Sequence, residues 1–205
     1  MRSVQSAAPP RRRMTAAARR EQVLDVAREI VAERGFQGVS IQDVAARAGV
    51  TRPIVYEHFD GLEGLLEAIV EREMARALEQ IEATALGDLS AGDPVELMLE
   101  SLGKYLRAVA ANPATWRLVL TPPEGAPASL RKQIVKGRER ALRRLTDAVR
   151  PGSLPGELSA DPELTARILS AMADEYALMV LESPRRHPPE LLLGHARRWL
   201  EHAVS

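Results

Sequence analysis

From residue 15 onward the apolar positions recur at helical spacing. Val23, Ala27, Ile30 and Val31 fall at i, i+4, i+7 and i+8, one face of a helix that starts near Thr15. Arg34 supplies a basic last turn and Gly35 a stop. Phe36 is then expected to plug the core. "SIQD" opens a second helix, with Ser40 as its cap and Asp43 three residues on, near the positive helix end. Ile41, Val44, Ala45 and Ala48 form its inward face, and Gly49 ends it after about two turns. Thr51 is placed to cap a third short helix at once, anchored by Val50, Ile54, Val55 and Phe59.

The pattern then lengthens. Leu62, Leu65, Leu66, Ile69, Val70, Leu78 and Ile81 predict a long helix from Gly61 to near Gly87. "LGDLSAGDP" reads as a linker, and Pro94 suits a first helical turn. Helices are expected over 94–111, from "NP" through Trp116, over 127–150, over 162–182 and over 189–203, parted by "TPPEGAP", "PGSLPGELSADP" and "SPRRHPP". No segment alternates at the strand period, and no internal repeat is present. The expected fold is all-α, with about nine helices: an N-terminal three-helix helix-turn-helix domain over 15–61 and a helical domain over 62–205.

Composition sharpens this picture. Hydrophobic residues are 45% of the 205 but aromatics only 3%, so the core is aliphatic and alanine-rich, which favours helix. Cysteine is absent, which excludes disulfides, thiolate metal sites and cysteine nucleophiles and suits a reducing cytoplasm. There is no 18-residue apolar run to span a membrane and no apolar N-terminal stretch to act as a secretory signal. The net charge is zero, yet residues 1–20 hold six arginines and no acid. That end is +6 and the remainder −6. Residues 1–14 are therefore expected to be a disordered basic arm, suited to a polyanion or simply solvated.

Residues 40–59 carry the chemistry. Two short helices meet at a glycine turn, with Ala45, Gly49 and Val50 small enough for close approach: a helix-turn-helix. The second helix is too short to be a scaffold, so its outer side is free to enter a major groove. Taken whole, "GFQGVSIQDVAARAGVTRPIVYEHFDGLEGLLEAIV" resembles the N-terminal region of TetR-family transcriptional repressors over about residues 20–70. The resemblance rests on the Gly-Phe after the first helix, Asp-Val-Ala on the second, the Ala-Gly-Val turn, Tyr-x-His-Phe ending the third and Glu-x-Leu-Leu opening the fourth. It implies that Thr51 and Arg52 face bases or phosphates and that Tyr56 and His58 reach the DNA backbone. Ser40 and Gln42 would lie near phosphates at a helix N-terminus. Arg52 suits guanine O6 and N7, given its fork of donors. Two positions depart from the family. Pro53 stands where a small residue is common; it fits a first turn but cannot donate to a phosphate, and its ring suits a thymine methyl. Leu62 stands where a lysine usually meets a phosphate, and the Arg11–Arg13 arm is the available substitute.

The resemblance further implies that residues 62–205 are a ligand-binding and dimerisation domain, with a homodimer joined through the last two helices (an intramolecular core is the alternative), a roughly palindromic double-stranded DNA operator and release by a small-molecule effector. No cofactor or metal is expected, because no HExxH or Cys/His spacing is present. The helix over 162–182 is apolar almost all round, and Leu192, Ala196, Trp199 and Ala203 share a face of the last helix. Tyr105, Trp116, Met172, Tyr176 and Met179 are the candidate effector contacts, though such residues at helical spacing also build ordinary cores. Arg131, Lys132, Lys136, Arg138, Arg140, Arg143 and Arg144 read as a solvated basic face, with an acidic ligand or a second DNA contact as the lesser reading. Two other classes stand beside the regulator: an interaction scaffold with a degenerate helix-turn-helix, and an all-α enzyme. Glu57 and His58 point in different directions as helix neighbours, and no HExxH or phosphate loop accompanies them.

Overall fold

A computed structural model describes residues 14–84, 86–150, 154 and 160–203. The described residues form α1 (Ala16–Arg34), α2 (Ile41–Ala48), α3 (Arg52–His58), α4 (Gly61–Ala83), α5 (Pro94–Ala111), α6 (Pro113–Leu120), α7 (Ala128–Ala148), α8 (Pro162–Glu182) and α9 (Pro189–Ala203). Short 3-10 turns sit at Phe36–Gly38 and Leu89–Ala91. The fold is all-α, and there is no strand among the described residues. The expected arm falls on residues 1–13, outside the described residues, apart from Met14, which is exposed.

Local chemistry sets the ends. The Thr15 hydroxyl accepts from the Ala18 amide at 3.2 Å and starts α1. The Ser40 hydroxyl accepts from the Asp43 amide at 3.1 Å and starts α2. Gly49 ends α2 at φ 65°, ψ 34°, and its amide closes on Ala45 and Ala46. A Cβ there would meet nothing within 4 Å, so the left-handed backbone alone calls for glycine. Asp93 caps α5 through the amides of Val95 and Glu96, with Pro94 in the first turn. The helix α4 stops at Ala83, a turn short of Gly87, because the Thr84 amide bonds back to Gln80 and Ile81 and its hydroxyl to Ile81.

Two cores follow from these helices. The first joins Val23, Leu24, Ile30 and Phe36 to Val44, Val55 and Phe59 and continues along α4 as Leu65, Ile69 and Val70. It also takes in Leu118, Ala126, Leu130 and Ile134, so α6, α7 and their connection pack into the helix-turn-helix unit. At Gly125 a Cβ would come within 2.7 Å of the Gln37 side chain, so the connection presses on the turn after α1. The second core lies around α5, which packs on α8 and α9 and buries Leu99, Leu106, Val109, Trp116, Tyr176 and Leu192. Met74 touches both cores. At 23 residues, α4 is about 34 Å long and serves as the shared beam.

One apolar expectation changes: Leu62 is exposed, because Leu65, Ala68 and Ile69 set the inward stripe of α4. Within the single chain α8 buries Ala166, Ala177 and Val180, while Leu164 and Ile168 face outward, where a partner subunit is the expected cover. The expected face of α9 divides: Leu192 and Ala196 turn inward with Leu200, and Trp199 (41% exposed) and Ala203 turn outward.

Candidate nucleic-acid interface and cavity

The two faces of α3 have opposite jobs. Val55 is fully buried, Phe59 nearly so, and Ile54 half-buried, so the inner face is fixed to the core. Arg52, Pro53 and Tyr56 are exposed, the tyrosine at 57%. Three contacts hold this arrangement from behind. The Arg20 guanidinium lies 5.1 Å from the centre of the Phe59 ring. Gln22 Nε2 donates to the Ala48 carbonyl at 3.1 Å, just before the turn. Arg47 donates to both carboxylate oxygens of Glu33 at 2.9 and 2.8 Å, tying α2 to α1. The Arg47 hydrogen bond holds the Glu33 carboxyl below its ordinary range.

The residues singled out for DNA are not equivalent. Gln42 and Arg52 are brought together: Arg52 Nη2 donates to Gln42 Oε1 at 2.6 Å across the helix-turn-helix. That bond holds an exposed guanidinium beside a side-chain amide, leaving further donors on the arginine for an outside partner. Thr51 occupies the cap position of α3 but its side chain makes no cap bond, so its exposed hydroxyl is left to other partners. Pro53 is in the first turn, where its missing N–H breaks no helical bond. His58 is half-buried and packs edge-on to Phe59 with centroids 6.3 Å apart, so it is less outward than Tyr56. Ser40 is half-buried and its hydroxyl already caps α2. The Gln42–Arg52 bond spans ten residues and two helices, a spacing without a sequence signature.

A cavity of about 220 Å³ lies between α4, α5, α6, α7 and α8. Its wall is mostly apolar and includes Met74, Ile81, Met98 and Leu102. Tyr105, Trp116 and Met172 are on this wall. Tyr176 and Met179 are not. The cavity meets α8 between Leu169 and Asp174, and these two residues lie about 3 to 8 Å further along the axis. Tyr176 is instead buried in the second core with its hydroxyl 2.7 Å from His195 Nδ1, and Met179 packs on the same core.

Sequence reading missed the cavity's carboxylate. Asp174 is on the wall, and the Tyr105 hydroxyl donates to its Oδ1 at 3.3 Å. Burial pushes the Asp174 carboxyl above its ordinary value, against the opposing pull of Arg138 and the Tyr105 bond. Burial also pushes the Tyr105 phenol up, helped by the Asp174 charge. Tyr105 packs edge-on to Trp116 with centroids 5.0 Å apart, and the indole N–H donates to Gln80 Oε1 at 2.9 Å. Arg138 and Arg144 of α7 complete the charged wall.

A buried ionic cluster lies between the cavity and α1. Glu73 is 1% exposed and accepts from Thr115 Oγ1 at 2.5 Å, Arg72 Nε at 3.1 Å and Arg76 Nη1 at 3.1 Å. Arg72 Nη1 also reaches Glu21 and Asp25 of α1, each at 3.0 Å. One cluster thus links α1, α4 and α6, next to Met74 on the cavity wall.

Residues 23–69 match the family profile described as bacterial regulatory proteins of the tetR family. A helix-turn-helix-type transcriptional regulator of Mycobacterium tuberculosis is 32% identical over 117 residues, 56% of this chain and 56% of its own length. The aligned region thus spans a little over half of that relative. The helix-turn-helix-type transcriptional regulator UidR of Escherichia coli is 28% identical over 154 residues, 73% of this chain and 75% of that protein. Among solved structures, a TetR-like transcriptional regulator from Rhodococcus sp. RHA1 superposes with a TM-score of 0.71 at 23% identity, over 92% of this chain and 99% of that one.

Proposed function

We propose, from the match of residues 23–69 to the profile of the TetR family of bacterial regulatory proteins, that this chain is a cytoplasmic, DNA-binding transcriptional repressor of that family. It acts as a homodimer on a roughly palindromic operator and is released by a small molecule held in the cavity between α4 and α8. The observation that carries this reading is the division of α3: a buried inner face and an exposed outer face of Arg52, Pro53 and Tyr56. Arg52 reads a base, with Gln42 holding its guanidinium in place. Thr51 and Tyr56 meet the phosphate backbone, and Pro53 supplies an apolar contact in place of an amide. Ser40 and His58 act mainly by holding the ends of α2 and α3.

The cavity wall and the helix-turn-helix core share Met74 and Ile134. A ligand that prefers one packing of these residues therefore biases the spacing of the two recognition helices. The test is a salt-titrated binding assay on the chain's own upstream DNA, wild type against Arg52→Ala. Base reading by Arg52 gives a loss of about 1–3 kcal/mol that is confined to specific sequence. Weak, salt-sensitive binding that ignores sequence, unchanged by the substitution, would sink the proposal in favour of an interaction scaffold.

A further inference from the structure

We propose that the effector is a compact apolar cation, an amine with a short hydrocarbon or aromatic body, whose ammonium sits on Asp174. The inference rests on the regulator reading and assigns the ligand class of its cavity. Among the described residues Asp174 is the only carboxylate on the wall, and its one hydrogen-bond donor among them is the Tyr105 hydroxyl at a long 3.3 Å. A carboxylate taken from water and given so little in return favours a donor from elsewhere. Burial raises the Asp174 carboxyl, which is the same shortfall seen from the proton's side.

The two arginines on the wall argue for an anion, and their positions decide against it. Arg144 is exposed and already engaged with Glu82 at 3.3 Å. Arg138 is exposed and acts on Asp174 through space, without an ion pair within 4 Å among the described residues. Charges in contact with water are screened, whereas a charge set into the apolar wall is screened less. The enclosed charge is negative. Around it stand Tyr105 and Trp116, whose ring faces favour cations, and the thioethers of Met74, Met98 and Met172, which adapt to an apolar body. From α4 and α6 the wall receives no ionisable side chain, and from α5 only Tyr105.

Calorimetric titration of the full-length chain with n-hexylamine, n-hexanol and n-hexanoate tests this, because the three share a tail and differ in head group. Hexylamine is expected to bind tightest. Asp174→Asn should weaken it by about tenfold or more and leave hexanol unaffected. Arg138→Ala should leave hexylamine unchanged or tighter, since it removes a like charge without touching the core. Preference for hexanoate, lost in Arg138→Ala, overturns the assignment in favour of an anion. Equal binding of all three overturns it in favour of a purely apolar site, and binding by none overturns it altogether. Retention of upstream DNA by the ligand-free chain judges the regulator reading separately, whatever the three probes do.

Discussion

Burial of Asp174 is costly to the fold. Its carboxyl is raised above its ordinary value of 3.8 by burial, so the folded chain favours the protonated form more than the unfolded chain does. The associated stability is fully present below the ordinary aspartate range. It is lost as pH rises from that range through the raised value in the fold. At neutral pH the wild type bears the whole penalty, and Asp174→Asn, which keeps an acceptor for the Tyr105 hydroxyl, does not. The variant is expected to melt a few degrees higher at pH 7, with the gap closing as the pH is lowered through 4. A thermal scan at several pH values checks this, and a gap that stays constant would mean that burial of the charge is not its cause. The same substitution that steadies the apo chain should remove its response to a cation, a trade between stability and function.

At the scale of elements, α4 joins the two cores through Glu73. Removing that carboxylate takes a partner from Arg72, Arg76 and Thr115 at a buried junction, and one partner lost from a buried pair costs about 3–5 kcal/mol. Glu73→Ala is therefore expected near the low end of that range, because Arg72 keeps Glu21 and Asp25. The fall in urea midpoint measures it, with Glu33→Ala as a control. Glu33 is exposed and its pair should matter little to stability. Gly49→Ala gives an independent reading at the turn. Nothing obstructs the new methyl, so the expected loss of about 1–2 kcal/mol is backbone strain alone. A glycine stop and a cap are local events, which is why the bounds of α1, α2 and α3 were legible in the sequence. The period of α9 was legible too, but not how its apolar face divides: Leu192 and Ala196 turn inward with Leu200, and Trp199 turns outward, because neighbouring phases on a helix face differ little. Glu73 and Asp174 left no such trace. Each looks like any acid on a helix until Thr115, 42 residues on, or Tyr105, 69 residues back, is brought against it.

On the scale of the whole molecule the unanswered surface is the outer side of α8 and α9. Leu164, Ile168, Leu191 and Trp199 are exposed in the single chain. Leu164 and Ile168 are one turn apart on α8, and Leu191 and Trp199 lie two turns apart on α9, so both helices keep an apolar side uncovered. A second copy in two-fold contact would cover both and would set two α3 helices to face two half-sites about one DNA turn apart. Charge placed on this surface should act on DNA binding from a distance. Leu191→Glu with Trp199→Glu is expected to halve the mass measured by light scattering while helix content by circular dichroism stays constant. Operator affinity should then fall by about a hundredfold or more, because two linked contacts become independent ones. Contact with any single half-site should be unchanged, since α3 and its support from Arg20, Gln22 and Gln42 are left alone. Footprinting separates the two effects: the wild type should protect both halves of a palindrome together, the variant each half alone and only at higher concentration. A wild-type chain that is monomeric at micromolar concentration, or a variant monomer that holds the full operator as tightly as the wild type, would remove the dimer from the mechanism.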